Sequence, residues 1–230
     1  MKNKKSICII PARSGSRRIK NKNIINFFGK PIISYAITAA IKSNLFDKII
    51  VSTDSKKISK ISISYGATVP SLRPKKLSNT KSTINEVMKY CVQKYNLKNY
   101  RYLFCIFPSS PLLVAEDLIN AQKKIIKENA AHLISVRKSN ELKQKIFFKR
   151  KKLILIKNHN KKTFSNKNEF YIDNGNFFIL DVKKYISGFK KDYKDTIGYE
   201  MINKEANDIN TFDDLNFLKF IFKKRLYNFN

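Results

Sequence analysis

The chain alternates short apolar runs with longer amphipathic segments. Four runs, "SICIIP", "DKIIVSTD", "YLFCIF" and "HLISVRK", have the length and apolar content of buried strands. Helices are predicted over "PIISYAITAAIKS", with Pro31 at its start, and over "SKKISKISISYG" up to Gly66. Two more are predicted from Thr83 and after "PSSPL". This order predicts an α/β fold with a doubly wound, mostly parallel sheet.

The alternation breaks after about Arg137. "IFFKRKKLILIKN" predicts two strands around a basic turn, and a polar stretch follows before "FYIDNGNFFIL" resumes a strand. Near the end, Thr211 and Asp214 have the spacing of a capping box before a last helix. We predict a single domain over residues 1–230, with an inserted excursion at about 137–175 that serves as a lid or a dimerisation arm.

The composition adds a strong positive charge. The 230 residues include 47 Lys and Arg against 17 Asp and Glu, a net charge of +30, which would attract any polyanion. However, the lysines are spread along the whole chain, and no ribonucleoprotein motif, zinc finger or helix-turn-helix signature accompanies them. Nucleic acid is therefore not the favoured ligand, although a polyanion-binding protein stays open as an alternative.

Cysteine content and the N-terminal sequence indicate a cytoplasmic protein. Cys8, Cys91 and Cys105 have no metal-ligand spacing and are predicted to be reduced core residues. The first apolar run is too short for a signal peptide or a membrane span, so no membrane association is expected.

The loop after the first strand is the most informative one, because ligands of open parallel sheets bind beyond the carboxyl ends of the strands. In "ARSGSRRIKNKN", Ser14 to Ser16 permit a tight turn with free backbone N–H groups, and the arginines and lysines around it add charge. Such a loop suits a phosphate chain. It matches neither "GxxxxGK[ST]" nor "GxGxxG". The alternative is a merely solvated basic loop.

Three later loops offer candidates with structural alternatives. Asp54 ends "VSTD", where it could approach a ligand, although capping of the next helix is favoured. Arg73, before Pro74, could reach a base or a phosphate, whereas Thr83 also starts a Thr-x-x-Glu capping box. Asp208 is a potential metal ligand or an ordinary residue of a loop before a helix.

Several motifs together resemble one enzyme family. "IIPARSGSRRIKNKNI", "FFGKPIISYAI", "YGATVPSLRPKKLS", "FPSSPL", "DNGNFFI" and "DINTFDDL" are similar to the cytidylyltransferases that make CMP-activated nonulosonic (sialic-type) acids. The resemblance runs nearly end to end. It implies a Rossmann-like nucleotidyltransferase fold, a homodimer and a reaction in which a sugar hydroxyl attacks the α-phosphate of CTP with Mg²⁺ bound.

The resemblance also implies roles for individual residues. Those matching CTP contacts of the family are Ala12, Arg13, Ser16, Lys22, Asn23, Arg73 and Thr83. Catalytic roles are implied for Arg13, Lys22 and Asp208. Asp208 and Asn210 match the metal motif "DIDT", in which this chain replaces the second acid by an amide.

The sugar is predicted from a second departure. Phe107 stands where sialic-acid enzymes commonly have Gln, and an aromatic ring cannot reproduce the hydrogen bonds of an amide. Pseudaminic acid is therefore expected, with N-acetylneuraminate and legionaminate as alternatives. Phe107 and Asn174 are the candidate sugar contacts, Phe177 and Phe178 are possible neighbours, and Lys143 or Lys145 could bind the sugar carboxylate.

Overall fold

A mixed sheet with helices on both faces forms the centre of the computed structural model, which describes residues 6–139, 146–149, 153–156, 170–188, 195–203 and 207–227. The strands are β1 (Ser6–Pro11), β2 (Asn26–Phe27), β3 (Lys30–Pro31), β4 (Phe46–Ser52), β5 (Tyr102–Ile106), β6 (His132–Ser139), β7 (Ile146–Lys149), β8 (Leu153–Ile156), β9 (Phe170–Asp181) and β10 (Thr196–Glu200). The helices are α1 (Ile33–Ser43), α2 (Lys56–Ser64), α3 (Ile84–Lys94), α4 (Ala115–Lys127), α5 (Val182–Ile186) and α6 (Phe212–Tyr227).

The main sheet has the order β4-β1-β5-β9-β6-β10-β8-β7. β1 is parallel to β4 and β5, and β6 is parallel to β10. β9 lies antiparallel between β5 and β6. The predicted mostly parallel α/β sheet is confirmed, with one antiparallel strand at its centre.

Two hydrophobic clusters cover the two faces of this sheet. Alternate residues of β1 point to opposite faces, so Cys8 and Ile10 pack in one cluster and Ile7 and Ile9 in the other. The first cluster includes residues of α1, α4 and α6, and the second includes residues of α3. The doubly wound arrangement follows from this two-sided burial. All three cysteines are buried and reduced, as expected.

The structure corrects one helix boundary. Pro31 was predicted to begin a helix, but it pairs with Asn26 in the small β2–β3 sheet, and α1 begins at Ile33. The turn between β2 and β3 has Phe28 at φ 48° and Gly29 at φ 79°. A proline without a backbone N–H is tolerated in such a short edge strand.

The predicted excursion contains the expected pair of strands. β7 and β8 form an antiparallel hairpin, which also pairs with β9 through β7 and with β10 through β8. Much of the excursion, including Lys143 and Lys145, lies outside the described residues, so its role as a lid or dimerisation arm stays a prediction. Among the helices that the structure describes, none has the length and apolar character needed to cross a bilayer.

Candidate active site

The loop after β1, residues 12–23, is called the cationic loop here, and it has a defined shape. Ile19 anchors it in the core with 1% of its surface exposed, and the buried Asn23 donates from Nδ2 to the carbonyl of Arg13 at 2.8 Å. Arg13 in turn donates from Nη1 to the carbonyl of Asn79 at 2.7 Å. A merely solvated loop would not be tied at both its start and its end, so these bonds favour a binding loop.

Asp54 was expected to cap the helix that follows it, but it binds the cationic loop. Its carboxylate accepts hydrogen bonds from the Ser14 backbone N at 2.8 Å and from the Ser14 Oγ at 2.7 Å. The N-cap of α2 is Ser55, whose Oγ accepts from the Ile58 backbone N. The capping prediction for Asp54 is therefore wrong, because the adjacent serine caps the helix and Asp54 orders the cationic loop.

The loop before α6 meets the cationic loop directly. Lys22 Nζ lies 3.1 Å from Asp208 Oδ1 and also donates to the carbonyl of Ile209. Arg18 Nη2 donates to Asn210 Oδ1 at 2.6 Å. Ser109 Oγ, in the "PSSPL" loop, donates to Asp208 Oδ1 at 3.4 Å. Residues nearly two hundred positions apart in sequence thus form one site.

Gly175 supports Asp208 from the side of β9. A Cβ atom built on Gly175 would lie 2.8 Å from the Asp208 Cβ, which is too close for any side chain. Gly175 also has φ +66°, in the left-handed region that favours glycine. Its neighbour Asn174 is buried and bonds to Ser135 and Met201, so the backbone beside Gly175 is held in place next to Asp208.

Arg73 is a buried cation, with 4% of its surface exposed. Its backbone N donates to the carbonyl of Thr53, and its Nε donates to Ser78 Oγ at 3.0 Å, while Nη1 is buried without a hydrogen-bond partner. Burial lowers the pKa of this guanidinium, and the nearby Asp54 carboxylate opposes that shift. An unpaired buried donor in a cationic group is costly unless a ligand compensates it.

Thr83 has the predicted capping role. Its Oγ1 accepts from the Glu86 backbone N, and the Glu86 carboxylate accepts from the Thr83 backbone N at 2.7 Å. The capping box between Thr211 and Asp214 is likewise present. Both are ordinary helix starts that also hold site loops in place.

These loops enclose a cavity of about 540 Å³. The candidate residues on its wall are Arg13, Ser16, Lys22, Asn23, Arg73, Phe107, Asp208 and Asn210. Three other candidates, Ala12, Thr83 and Asn174, are not on the wall. Among the described residues that line the cavity, the cations are Arg13, Arg17, Arg18, Lys22 and Arg73, whereas Asp208 is the one acid. This excess of positive charge suits a polyphosphate.

Sequence reasoning missed several wall residues. Ser109, Asn79 and Ser82 line the cavity, and the first two also bond to Asp208 and Arg13. Small polar residues in loops carry no distinctive sequence signal, because they are common in all turns. What could have pointed to them is their position, because Ser109 lies in the loop after β5, and Asn79 and Ser82 lie in the loop before α3.

Phe107 contributes an aromatic wall. Its ring packs edge-on against Phe178 with the centroids 6.1 Å apart, and its backbone N donates to the carbonyl of Asn176. Phe177 lies on the opposite face of the sheet, where it packs against Tyr199. Of the two predicted neighbours of Phe107, only Phe178 is adjacent to it.

A magnesium ion would need hard oxygen donors. Asp208 offers a carboxylate and Asn210 an amide oxygen, both on the cavity wall. No group of three or more His, Cys, Asp or Glu side chains in the described part of the chain could hold a metal. The donor set therefore fits an ion shared with substrate phosphates, the usual arrangement for Mg²⁺, and not an ion enclosed by protein alone.

The fold and the site define the class of protein. A doubly wound sheet with a cationic loop after its first strand, facing an acid on a second loop, is a nucleotide-binding arrangement. Its closest functional description among such folds is a nucleotidyltransferase, in which a polyphosphate is gripped by cations and loses pyrophosphate.

Comparisons with known proteins identify the family. A sequence model described as "Cytidylyltransferase" matches residues 7–227. The pseudaminic acid cytidylyltransferase of Campylobacter jejuni subsp. jejuni serotype O:2 is 30% identical over 224 residues, which cover 95% of this chain and 97% of the relative. The chain belongs to the cytidylyltransferase family, and the resemblance to enzymes that make CMP-nonulosonic acids is confirmed.

One further relative and one solved structure are also similar to this chain. The CMP-N,N'-diacetyllegionaminic acid synthase of Legionella pneumophila is 28% identical over 223 residues, covering 89% of this chain and 90% of the relative. A solved structure of CMP:2-keto-3-deoxy-manno-octonic acid synthetase complexed with CTP has a TM-score of 0.72 at 11% identity, covering 96% of this chain and 99% of that one. At such low identity the structural likeness supports the fold.

Proposed function

We propose that this protein transfers CMP from CTP to the anomeric hydroxyl of a nonulosonic acid, with pseudaminic acid as the preferred sugar. The observation that carries the proposal is the cavity whose described wall carries Arg13, Arg18, Lys22 and Arg73, with Asp208 as the one acid among the described lining residues. This charge pattern fits a nucleotide triphosphate that must lose pyrophosphate.

The residues of the cavity would have different roles in CMP transfer. Arg13 and Lys22 would neutralise negative charge as the sugar oxygen bonds to the α-phosphorus and pyrophosphate leaves. Arg73, with its unpaired buried donor, would face the cytosine or the ribose end of CTP. Asp208 would hold Mg²⁺ through its carboxylate. When bound, Mg²⁺ supplies positive charge to the phosphate oxygens.

The aromatic wall supports the choice of sugar. Phe107 is an apolar part of the cavity wall, and Phe178 packs against its ring. A 9-deoxy sugar with a terminal methyl group suits such a surface better than the glycerol chain of N-acetylneuraminate. The Campylobacter jejuni relative, named for pseudaminic acid, agrees with this choice. Legionaminate shares the 9-deoxy end and is the nearest alternative.

The assembly and location of the enzyme are part of the proposal. We place it in the cytoplasm as a homodimer that pairs through the excursion, as the family resemblance implies. Phosphoryl-transfer chemistry with CTP is consistent with that location.

A pyrophosphate-release panel tests the proposal. CTP is supplied with pseudaminic, legionaminic or N-acetylneuraminic acid, and pseudaminic acid is expected to have the highest kcat/KM, by about tenfold or more over N-acetylneuraminic acid. A best rate with N-acetylneuraminic acid would overturn the argument from Phe107. No pyrophosphate from any sugar, together with salt-sensitive RNA binding, would instead indicate a polyanion-binding protein.

A further inference from the structure

The bond between Arg18 and Asn210 is the least expected contact of the site. Arg18 is an exposed residue with a long side chain, yet its Nη2 lies 2.6 Å from Asn210 Oδ1. Asn210 is itself well anchored, because its backbone N donates to Asp214 Oδ2 at 2.7 Å and the preceding Ile209 is buried. The guanidinium is therefore fixed at one point of the cavity wall.

This contact competes with metal coordination by Asn210. A divalent ion bound to Oδ1 would lie within a few ångströms of the Arg18 guanidinium, and two positive charges repel at that distance. Asp208 differs, because it carries a compensating negative charge and its bonds to Lys22 and Ser109 both fall on Oδ1. Its other oxygen is the better metal donor.

An amide at position 210 also preserves the charge of Arg18. An aspartate there would form an ion pair with the guanidinium and cancel much of its attraction for phosphate. Asparagine accepts the same hydrogen bond without adding a negative charge. The replacement of the acid in the "DIDT" pattern then has a physical reason that does not involve a metal.

We propose that Asn210 is the positioning residue of Arg18 and not a magnesium ligand, and that Arg18 binds the phosphate chain of CTP. This inference rests on the proposed function, because it concerns the same nucleotide site. It predicts that the site uses a single protein carboxylate, Asp208, for the metal and a fixed guanidinium where relatives of the "DIDT" type have a second acid.

Calorimetric titration of CTP without metal, in the presence of a chelator, tests the role of Arg18. Arg18→Ala should weaken CTP binding on the order of tenfold, the loss of one charge-assisted hydrogen bond. Arg18→Lys should recover part of that loss, because it keeps the charge but not the planar fork. Lys20→Ala is the matched control, since Lys20 is an exposed cation of the same loop that does not line the cavity, and it should leave binding unchanged.

The Asn210→Asp variant distinguishes a residue that positions Arg18 from a residue that binds Mg²⁺. If Asn210 positions Arg18, this variant should weaken metal-free CTP binding severalfold, and the loss should be smaller in an Arg18→Ala background, where only repulsion between the added carboxylate and the phosphates acts. The Mg²⁺ concentration for half-maximal turnover should not fall. A lower Mg²⁺ requirement, or unchanged metal-free binding in Arg18→Ala, would overturn the inference.

The same titration keeps this inference apart from the proposed function. A wild-type protein that binds no CTP either in chelator or with Mg²⁺ present would refute the proposed function itself. A wild-type protein that binds CTP, with variants that behave as metal-ligand variants, would refute only the role of the Arg18–Asn210 pair.

Discussion

Arg13 and Lys22 are held at the site by specific contacts. Arg13 reaches the carbonyl of Asn79, and Lys22 reaches Asp208, so each cation is fixed on the cavity wall before a ligand binds. Preorganised charges of this kind stabilise a transition state without further reorganisation. Their contribution should therefore appear in turnover and not in folding.

Arg13→Ala and Lys22→Ala should each lower kcat on the order of a hundredfold or more, because each removes a charge near the transferring phosphoryl group. Pyrophosphate release measures the rate, and far-UV circular dichroism checks the fold. Lys20→Ala again serves as the control. Wild-type turnover in a folded Arg13→Ala protein would show that the loop is only a basic surface.

Gly175→Ala should damage the site through a steric effect. The added Cβ would lie 2.8 Å from the Asp208 Cβ, so the acid must move, and the φ of +66° adds backbone strain. Gly188→Ala is a matched control, because Gly188 has a similar φ of +85° but nothing within 4 Å of the new Cβ.

Both glycine variants should lose about 1 kcal/mol or more of unfolding free energy, since both place alanine in the left-handed region. Only Gly175→Ala should also raise the Mg²⁺ concentration needed for half-maximal turnover. Equal Mg²⁺ curves for the two variants would mean that Gly175 has no role in placing Asp208.

At the residue scale, the structure places Arg13, Lys22 and Asp208 on one cavity wall. Sequence reasoning grouped them because ligands meet the loops at the carboxyl ends of parallel strands, and their roles stay predictions. Asp54 was misassigned because its partner Ser14 is far away in sequence and an acid before a helix usually caps it. Gly175 was not recognised, because its contact with Asp208 exists only in the folded chain.

At the scale of elements, Asp117 joins three parts of the molecule. This fully buried carboxylate accepts from the backbone N of Val114 at the start of α4, from Ile202 after β10, and from the Tyr199 hydroxyl. Burial raises its pKa, and the three hydrogen bonds oppose that shift. It therefore fixes the start of the segment that leads to Asp208.

Asp117→Ala should destabilise the protein by roughly 2–3 kcal/mol, because it leaves buried donors without an acceptor. Chemical denaturation measures this loss. Glu116→Ala is the control, since Glu116 is an exposed neighbour on the same helix. CTP binding should also weaken in Asp117→Ala under conditions where the protein is still folded, whereas unchanged stability and binding would remove Asp117 from the support of the site.

The elements differ in how much the sequence could reveal. β1 and β5 are nearly continuous apolar runs, which is typical of strands buried on both faces. The antiparallel insertion of β9 between β5 and β6 was not predictable, because strand order depends on contacts between distant segments. β10 and α5 were missed, since "TIGYE" and "VKKYI" are too short for a clear periodic signal.

At the scale of the whole molecule, the net charge of +30 opposes self-association. Two such chains repel, although salt screens the repulsion over about 10 Å at roughly 0.1 M ionic strength. The β7–β8 hairpin pairs with both β9 and β10 of its own chain, so the base of the excursion is joined to the main sheet. If the chain dimerises as proposed, we expect charge repulsion to limit the association.

We therefore expect a homodimer whose fraction rises with ionic strength, the opposite of the behaviour of a protein that binds a polyanion through the same charge. Light scattering coupled to size-exclusion chromatography at low and high salt measures the mass, and pyrophosphate release on the same samples measures activity. Reversing exposed charges that do not line the cavity, for example Lys56→Glu with Lys57→Glu on α2, should raise the dimer fraction at low salt without a change at high salt. A fully active monomer at every salt concentration would contradict the proposed assembly.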